Sequence, residues 1–451
     1  MRAWRACIAR AVARAQRSGG TVLAVSTARL REAPDPLELF DAAERRGEPR
    51  FLLVHPEEGF ALLALGCAAE VGGEPTPAQA SAQIAAWLEG ETELDPAEPL
   101  FVAGQAFAHR DRSERETAWQ AFGNGRLQAP ELLFTWRGAA ARLTRMLAVG
   151  PAAGARQLEE RRRVRESELL AKGPSAASRA AVRTPFPAPD RCYRAAAAHA
   201  IAAIRRGELE KVVLAQAIAR PLPGDFRCGP VLTALIRGQP TSCSFAVGQG
   251  DATFLGATPE RLVRCGAGRV ESHAVAGTAA GGSRREQLGA ALRRSAKERG
   301  EHAIVVRAIV AALRPLCSEL SLAAEPELAQ AGGVQHLRTR IKGRMRGMPQ
   351  VLDLVARLHP TPALGGAPRE AALRWIARHE GFDRGWYGGP IGWLDASGGG
   401  DFFVALRCGL VHAGRAVAYA GSGLVAGSDP DREMRETAQK LRTLWEALDA
   451  G

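Results

Sequence analysis

No two of the eight cysteines, at positions 7, 67, 192, 228, 243, 265, 317 and 408, stand in CxxC spacing. That excludes a zinc ribbon and argues against a disulfide scaffold, so free thiols in a reducing, cytoplasmic setting are expected. No apolar run reaches about 18 residues, which leaves no candidate membrane span. No stretch recurs at a fixed period, and disorder is not the theme: the 451 residues are 46% hydrophobic and 24% charged, as in an ordinary globular chain with a large core. Aromatic residues are missing around the one tight basic run, Arg161-Arg-Arg-Val-Arg165. The net charge of +12 therefore comes without a stacking platform, and a basic nucleic-acid-binding protein is only a distant alternative. The Arg-rich opening, Met1 to Arg14, lacks the Ser and the clear end of a transit peptide and reads as a first amphipathic helix.

Within residues 1–150, strands are expected at 21–26, 50–55, 60–65, 101–107 and 131–137. This part reads as sheet-forming scaffold, with His55 and His109 as structural or surface groups. Residues 151–190, rich in Arg, Ala, Gly and Pro, read as a connector with a charged helix in its middle. From 191 to 451 the chemistry is denser. Strands are expected at 211–219, 244–247, 253–255, 262–264, 269–274, 388–394, 402–411 and 416–420, and helices at 191–206, 230–236, 284–313, 349–357, 369–379 and 430–448. Runs of strands broken by single helices imply an α+β fold. Its large, mainly antiparallel β-sheets would pack together and be flanked by helices, with the two parts intertwined as one domain.

Five places can carry chemistry. At Tyr419 to Lys440 an apolar strand meets a glycine turn, and Gly421 and Gly423 would let backbone approach an anion. Asp429 and Pro430 then open a helix on which Glu433, Glu436 and Lys440 share a face beside Met434, Leu441, Leu444 and Leu448. Alone, that helix is equally an ordinary dipole-matched one. Lys211 opens an apolar strand, so it is either a desolvated general base or a lysine whose stem is covered while its head reaches water. Glu301 faces a helix core side with Ile304 and Val305 and needs a cation, either a hard divalent metal shared with Glu436 or an internal partner, Lys297. Arg407, read as sharing a strand face with Ala405 and Gly409, suits bidentate carboxylate capture or a structural Arg–Asp pair. Glu260, after a Pro-fixed turn, is a candidate proton donor, or a partner of Arg261 or Arg264.

These residues lie in motifs whose order resembles the chorismate-utilising enzymes, and within them the isochorismate synthases of the siderophore and salicylate type. The motifs are Lys211-Val-Val-Leu-Ala, Phe254-Leu-Gly-Ala-Thr-Pro-Glu-Arg-Leu262, Ala276-Gly-Thr278, Ser295-Ala-Lys with Glu301-His302, Leu358-His-Pro-Thr-Pro-Ala-Leu-Gly-Gly-Ala-Pro-Arg369, Arg384-Gly-Trp-Tyr-Gly-Gly-Pro-Ile-Gly-Trp393, Phe403-Val-Ala-Leu-Arg407 and the 419–440 stretch. They span about 200–445, and the likeness of the first 150 residues is weaker. The resemblance implies chorismate as substrate and Mg2+ as cofactor, held by Glu301 and Glu436 with Glu433 nearby. It further implies that Arg407, Tyr387 and the Gly421-Ser422-Gly423 backbone hold the enolpyruvyl carboxylate, with Lys440 adding charge. Gly277, Thr278, His359 and Leu364 are further substrate-binding positions on the same ground. Lys211 would deprotonate water for attack at ring C2, and Glu260 would protonate the departing C4 hydroxyl. Ammonia-using members lack a lysine at this place, so water is the expected nucleophile. Two departures stand out: Gln216 replaces an Arg usual in the family, and Leu364 occurs together with Tyr387. The second keeps salicylate synthase, which goes on to eliminate pyruvate, as the alternative. The implied partner is an enzyme that consumes isochorismate, in a menaquinone, salicylate or catecholate siderophore pathway.

Overall fold

The computed structural model describes residues 2–73, 75–91, 98–111, 115–171, 191–280, 285–331, 333–347 and 350–450. The end of the expected connector, 172–190, lies outside them. Two antiparallel sheets make up the frame. The first has 11 strands, in the order Val22–Arg29, Ala140–Val149, Leu132–Arg137, Phe60–Leu65, Arg50–His55, Cys243–Gln249, Ala252–Thr258, Cys408–His412, Arg415–Leu424, Lys211–Pro221 and Gly366–Ala367. The second has 10, running from Cys317–Leu322 through Val334–Met345, Arg269–Ala280, Arg261–Gly266, Gly400–Val404, Pro390–Asp395, Pro99–Gln105 and Gly125–Ala129 to Ala69–Gly72, with Glu327–Ala331 also on Val334–Met345. Strands from both halves of the sequence hydrogen-bond in both sheets. Arg50–His55 pairs with Cys243–Gln249, and Pro99–Gln105 with Pro390–Asp395.

Several central strands read as unbroken apolar runs because both faces are covered. Phe51 and Leu53 belong to the core shared by the two sheets, whereas Leu52 belongs to a second core under the helices Pro36–Arg45, Cys228–Gly238 and Pro430–Leu448. Phe254 and Leu255 divide in the same way. The shared core holds an aromatic cluster in which Trp119 meets Phe122, Phe254 and Tyr419 at centroid distances of 5.1–5.9 Å. The basic run at 161–165 lies on the helix Ala155–Leu170, where Arg165 bonds Glu48 and Glu131 and Arg162 pairs with Glu166. Those acids neutralise part of the run.

Three expectations change. Residues 402–411 are not one strand: Gly400–Val404 belongs to the second sheet and Cys408–His412 to the first, and the chain crosses between them at 405–407. Arg407 takes φ +50 there, so it does not share a strand face with Ala405 and Gly409. The helix expected at 284–313 is two, Arg285–Arg294 and Ala296–Leu313, because the Ser295 side chain accepts from Glu298 N and starts a new helix. The strand Val334–Met345 was not expected, since Arg338, Arg340, Lys342 and Arg344 make it look like a loop. Those charges form its outer face, while Leu337, Thr339 and Ile341 are buried.

Candidate active site

The end of Arg415–Leu424 pairs with the start of Lys211–Pro221, placing Gly423 opposite Val213 and Gly421 opposite Ala215. Beside them runs the helix Pro430–Leu448, started by Asp429, which accepts from Arg432 N at 2.9 Å. Opposite lies Ala296–Leu313. Together they wall a cavity of about 70 Å³ lined by Glu260, Gly277, Thr278, Glu301, His336, Leu364, Arg384, Tyr387, Arg407, Gly421, Gly423, Glu436 and Lys440, among others.

Lys211 is fully buried, with no exposed surface. Its Nζ lies 3.0 Å from Glu301, so the internal partner of Glu301 is Lys211 and not Lys297. Lys211 itself sits behind the wall, outside the cavity lining. Gly423 lines the cavity and is also crowded from behind its wall. A Cβ on it would stand 2.1 Å from Glu301 Oε1 and 2.8 Å from Lys211 Cε, so what crowds this glycine is the lysine–glutamate pair itself.

Glu260 is 2% exposed, its Oε1 has no hydrogen-bond partner, and neither Arg261 nor Arg264 holds it. Both arginines turn to Asp401 and Glu58. Burial pushes the Glu260 carboxyl up to about 8, against the opposing pull of Lys211 and Lys440. It is therefore a neutral acid, able to donate a proton, at ordinary pH. Glu436 is the opposite case. Burial would raise it, but Lys440 at 2.7 Å, together with Thr278 and Lys297, holds its carboxyl down at about 2. Lys440 also donates to Gly421 O at 2.9 Å; the glycines expected to form a turn are the paired end of the strand Arg415–Leu424, so this bond ties the helix to that strand.

Arg407 is buried with no Asp partner. Its Nη2 meets His336 Nε2 at 2.6 Å, and its Nη1 has no hydrogen-bond partner. Burial lowers its basicity to about 10, which Glu436 and Tyr387 oppose, so it stays cationic. A guanidinium on the cavity wall with an unused donor fits a carboxylate better than a structural ion pair does. His336 is pushed down to about 3 by burial and by Arg407. Its Nδ1 lies 3.1 Å from Gly277 O, which can only accept, so Nδ1 carries the proton and Nε2 accepts from Arg407.

Three sequence candidates keep their side chains off the cavity lining. His359 is outside the lining, with Nε2 on Phe107 O at 3.2 Å. The Ser422 hydroxyl points away from the cavity and meets Tyr193 Oη at 2.6 Å. Glu433 is also outside the lining and pairs with Lys297 at 2.8 Å; burial and then Glu436 raise its carboxyl, which Lys297 opposes. Sequence reasoning missed Glu298 and His336. Glu298 is 1% exposed and accepts from Thr278 N and Arg432 while lying 3.3 Å from Lys297. Its signal was available: it precedes Glu301 by one helical turn, as Glu433 precedes Glu436. Gln216, standing in place of the family Arg, donates to Thr437 Oγ1 at 2.5 Å and so joins its strand to the acid-bearing helix. Among the described residues, no three His, Cys, Asp or Glu side chains converge tightly enough to hold an ion as they stand.

A model of the chorismate binding enzymes matches residues 10–449. The salicylate biosynthesis isochorismate synthase of Pseudomonas aeruginosa is 38% identical over 464 aligned residues, covering 100% of this chain and 95% of that protein. The isochorismate synthase MenF of Bacillus subtilis is 31% identical over 94% of this chain and 93% of its own. The solved structure of MenF, the menaquinone-specific isochorismate synthase from Escherichia coli, superposes with TM-score 0.79 at 25% identity, covering 98% and 99% of the two chains. With two interleaved antiparallel sheets, an enclosed acid–lysine–arginine site and a match from residue 10 to 449, the chain belongs to the family of chorismate binding enzymes.

Proposed function

We propose that the protein is a Mg2+-dependent isochorismate synthase, converting chorismate to isochorismate by adding water at ring C2 with loss of the C4 hydroxyl. One observation carries this reading: a buried, unpartnered Glu260, neutral up to about pH 8, sits close enough to the buried Lys211 to feel its charge. The proton donor thus lines the cavity, and the candidate acceptor stands just behind its wall. Lys211, in its neutral form, would take the proton of the attacking water, the ring double bonds shift, and Glu260 gives its proton to the C4 oxygen, which leaves as water. Arg407, with its free Nη1, and Tyr387 receive the enolpyruvyl carboxylate beside the Gly421–Gly423 strand end. Gly277 and Thr278, beside His336, close the opposite wall. Water is the nucleophile because Lys211 is present to activate it.

The oxygen donors of Glu301 and Glu436 suit a hard divalent ion, with Glu298 and Glu433 one turn away on the same two helices. Glu436 is held anionic, as a ligand must be. Bound Mg2+ supplies positive charge against the ring carboxylate. Glu301 and Glu436, which lie against Lys211 and Lys440, would be the residues that hold the ion.

The test is incubation of the purified protein with chorismate and Mg2+, with products separated by chromatography. Isochorismate without pyruvate supports the reading. Salicylate with pyruvate would move it to the lyase-coupled activity, and anthranilate in the presence of ammonium would overturn it.

A further inference from the structure

The strand that carries Lys211 lies next to the edge of the first sheet, and its covering neighbour, Gly366–Ala367, pairs only with Val212 and Lys211. Beyond that point no strand covers the edge among the described residues. Residue 211 is paired with that short strand, whereas residues 213 and 215 turn backbone groups to the same side and meet something other than a strand. Val213 N donates to Gly365 O at 2.9 Å. Ala215 N donates to Glu380 Oε1 at 2.8 Å, and Val213 O accepts from Arg384 Nη2 at 2.9 Å. Glu380 and Arg384 are themselves bound to each other, Nε to Oε2 at 2.7 Å and Nη2 to Oε1. Both side chains are buried, at 3% and 5% exposure. Arg384 Nη1 donates to Leu364 O at 3.0 Å, and its guanidinium stacks on Phe107 at 4.1 Å, near Tyr387.

A buried arginine on the wall of a site for a dianion would ordinarily count as a substrate grip. Here burial would lower its basicity, yet Glu380 more than offsets this and keeps it charged. Its donors are taken by Leu364 O, Val213 O and Glu380. We propose that Glu380 and Arg384 form a splint that replaces the missing edge strand and fixes Lys211 and the Leu364 segment relative to one another, so that both are positioning residues for the water-addition step. Pairing with Arg415–Leu424 already sets the strand's register. What is left for the splint is finer placement of the strand start, where a shift of about 1 Å can cost on the order of 100-fold in rate.

This inference rests on the isochorismate synthase reading, and the experiment separates the two. In the full-length enzyme, Glu380→Ala is expected to lower kcat by about 10- to 100-fold with KM for chorismate within about threefold. Hydrogen–deuterium exchange in the 211–219 peptide, read by mass spectrometry, should rise in the same variant. Glu380→Gln keeps an acceptor for Ala215 N and should recover most of kcat and of the protection. Unchanged kcat per folded molecule in Glu380→Ala, or equal losses in the Ala and Gln variants, overturns the proposal. Should Glu380→Ala not fold, Arg384→Lys, which cannot reach Val213 O, Leu364 O and Glu380 together, takes its place with the same expected loss; unchanged kcat would again overturn it. If the wild-type protein leaves chorismate unchanged, the functional reading fails while exchange still reports on the splint: unaltered protection in Glu380→Ala overturns it independently.

Discussion

At the scale of single residues, Lys211 and Glu260 are both fully enclosed, and their environments make opposite demands. Lys211 rests on Glu301, whereas Glu260 has no polar partner for Oε1. Lys211→Ala should remove water addition, a loss of at least about 10²-fold in kcat, while chorismate binding measured by calorimetry is retained; full turnover would place the base elsewhere. Glu260 must be protonated to act as the acid, and its carboxyl titrates at about 8. Activity is therefore expected to fall as pH rises through that value. The residual rate of Glu260→Gln should lack that alkaline limb in a kcat/KM profile. The same shift has a stability sign. Because the folded value lies above the ordinary 4.5, the group's contribution is fully present below about 4.5 and is lost as pH climbs toward 8.

Glycine substitutions separate chemistry from folding. At Gly423 the added methyl would meet only the far ends of Glu301 and Lys211, which can swing aside. Gly423→Ala should melt close to wild type in a calorimetric scan yet lose most activity. At Gly392 the methyl would stand 2.2 Å from Asp401 O, a backbone atom in a paired strand. Gly392→Ala is expected to lower Tm by several degrees, since overpacking of this kind costs about 1–3 kcal/mol.

Among the elements, the helix Pro430–Leu448 was fully legible. Its cap, its Pro and its apolar stripe are local signals, and they fixed its start and its buried side. The crossing at 405–407 was not. Phe402 to Val411 is apolar enough for one strand, and only long-range pairing shows that half belongs to each sheet. That is why the reading of Arg407 was wrong about its neighbours. Glu433 illustrates a related limit: helical periodicity put it on the face of Glu436, but only the position of Lys297 on another helix decides where its carboxylate points. His359 was named from resemblance alone, and in the structure its ring is taken by Phe107 O. His336 lay in a run left unassigned from the sequence, where alternating arginines mask the apolar pattern, so neither its strand nor its contact with Arg407 could be read from the chain.

For the molecule as a whole, interleaving has a cost in separability. The piece 191–451 would leave Cys243–Gln249 and Pro390–Asp395 with open edges where Arg50–His55 and Pro99–Gln105 belong. Such edges pair with other chains. Expressed alone, that piece should be insoluble, and co-expression with residues 1–171 should restore a soluble, cooperatively melting species; a stable 191–451 monomer by light scattering would contradict this. The acids of the site bring their own counterweights: Glu301 has Lys211, Glu433 has Lys297, Glu436 has Lys440 and Glu298 has Arg432. Folding thus draws on no ion from outside. A chelator should silence this protein without melting it, and restored Mg2+ should restart it at once, with no refolding lag.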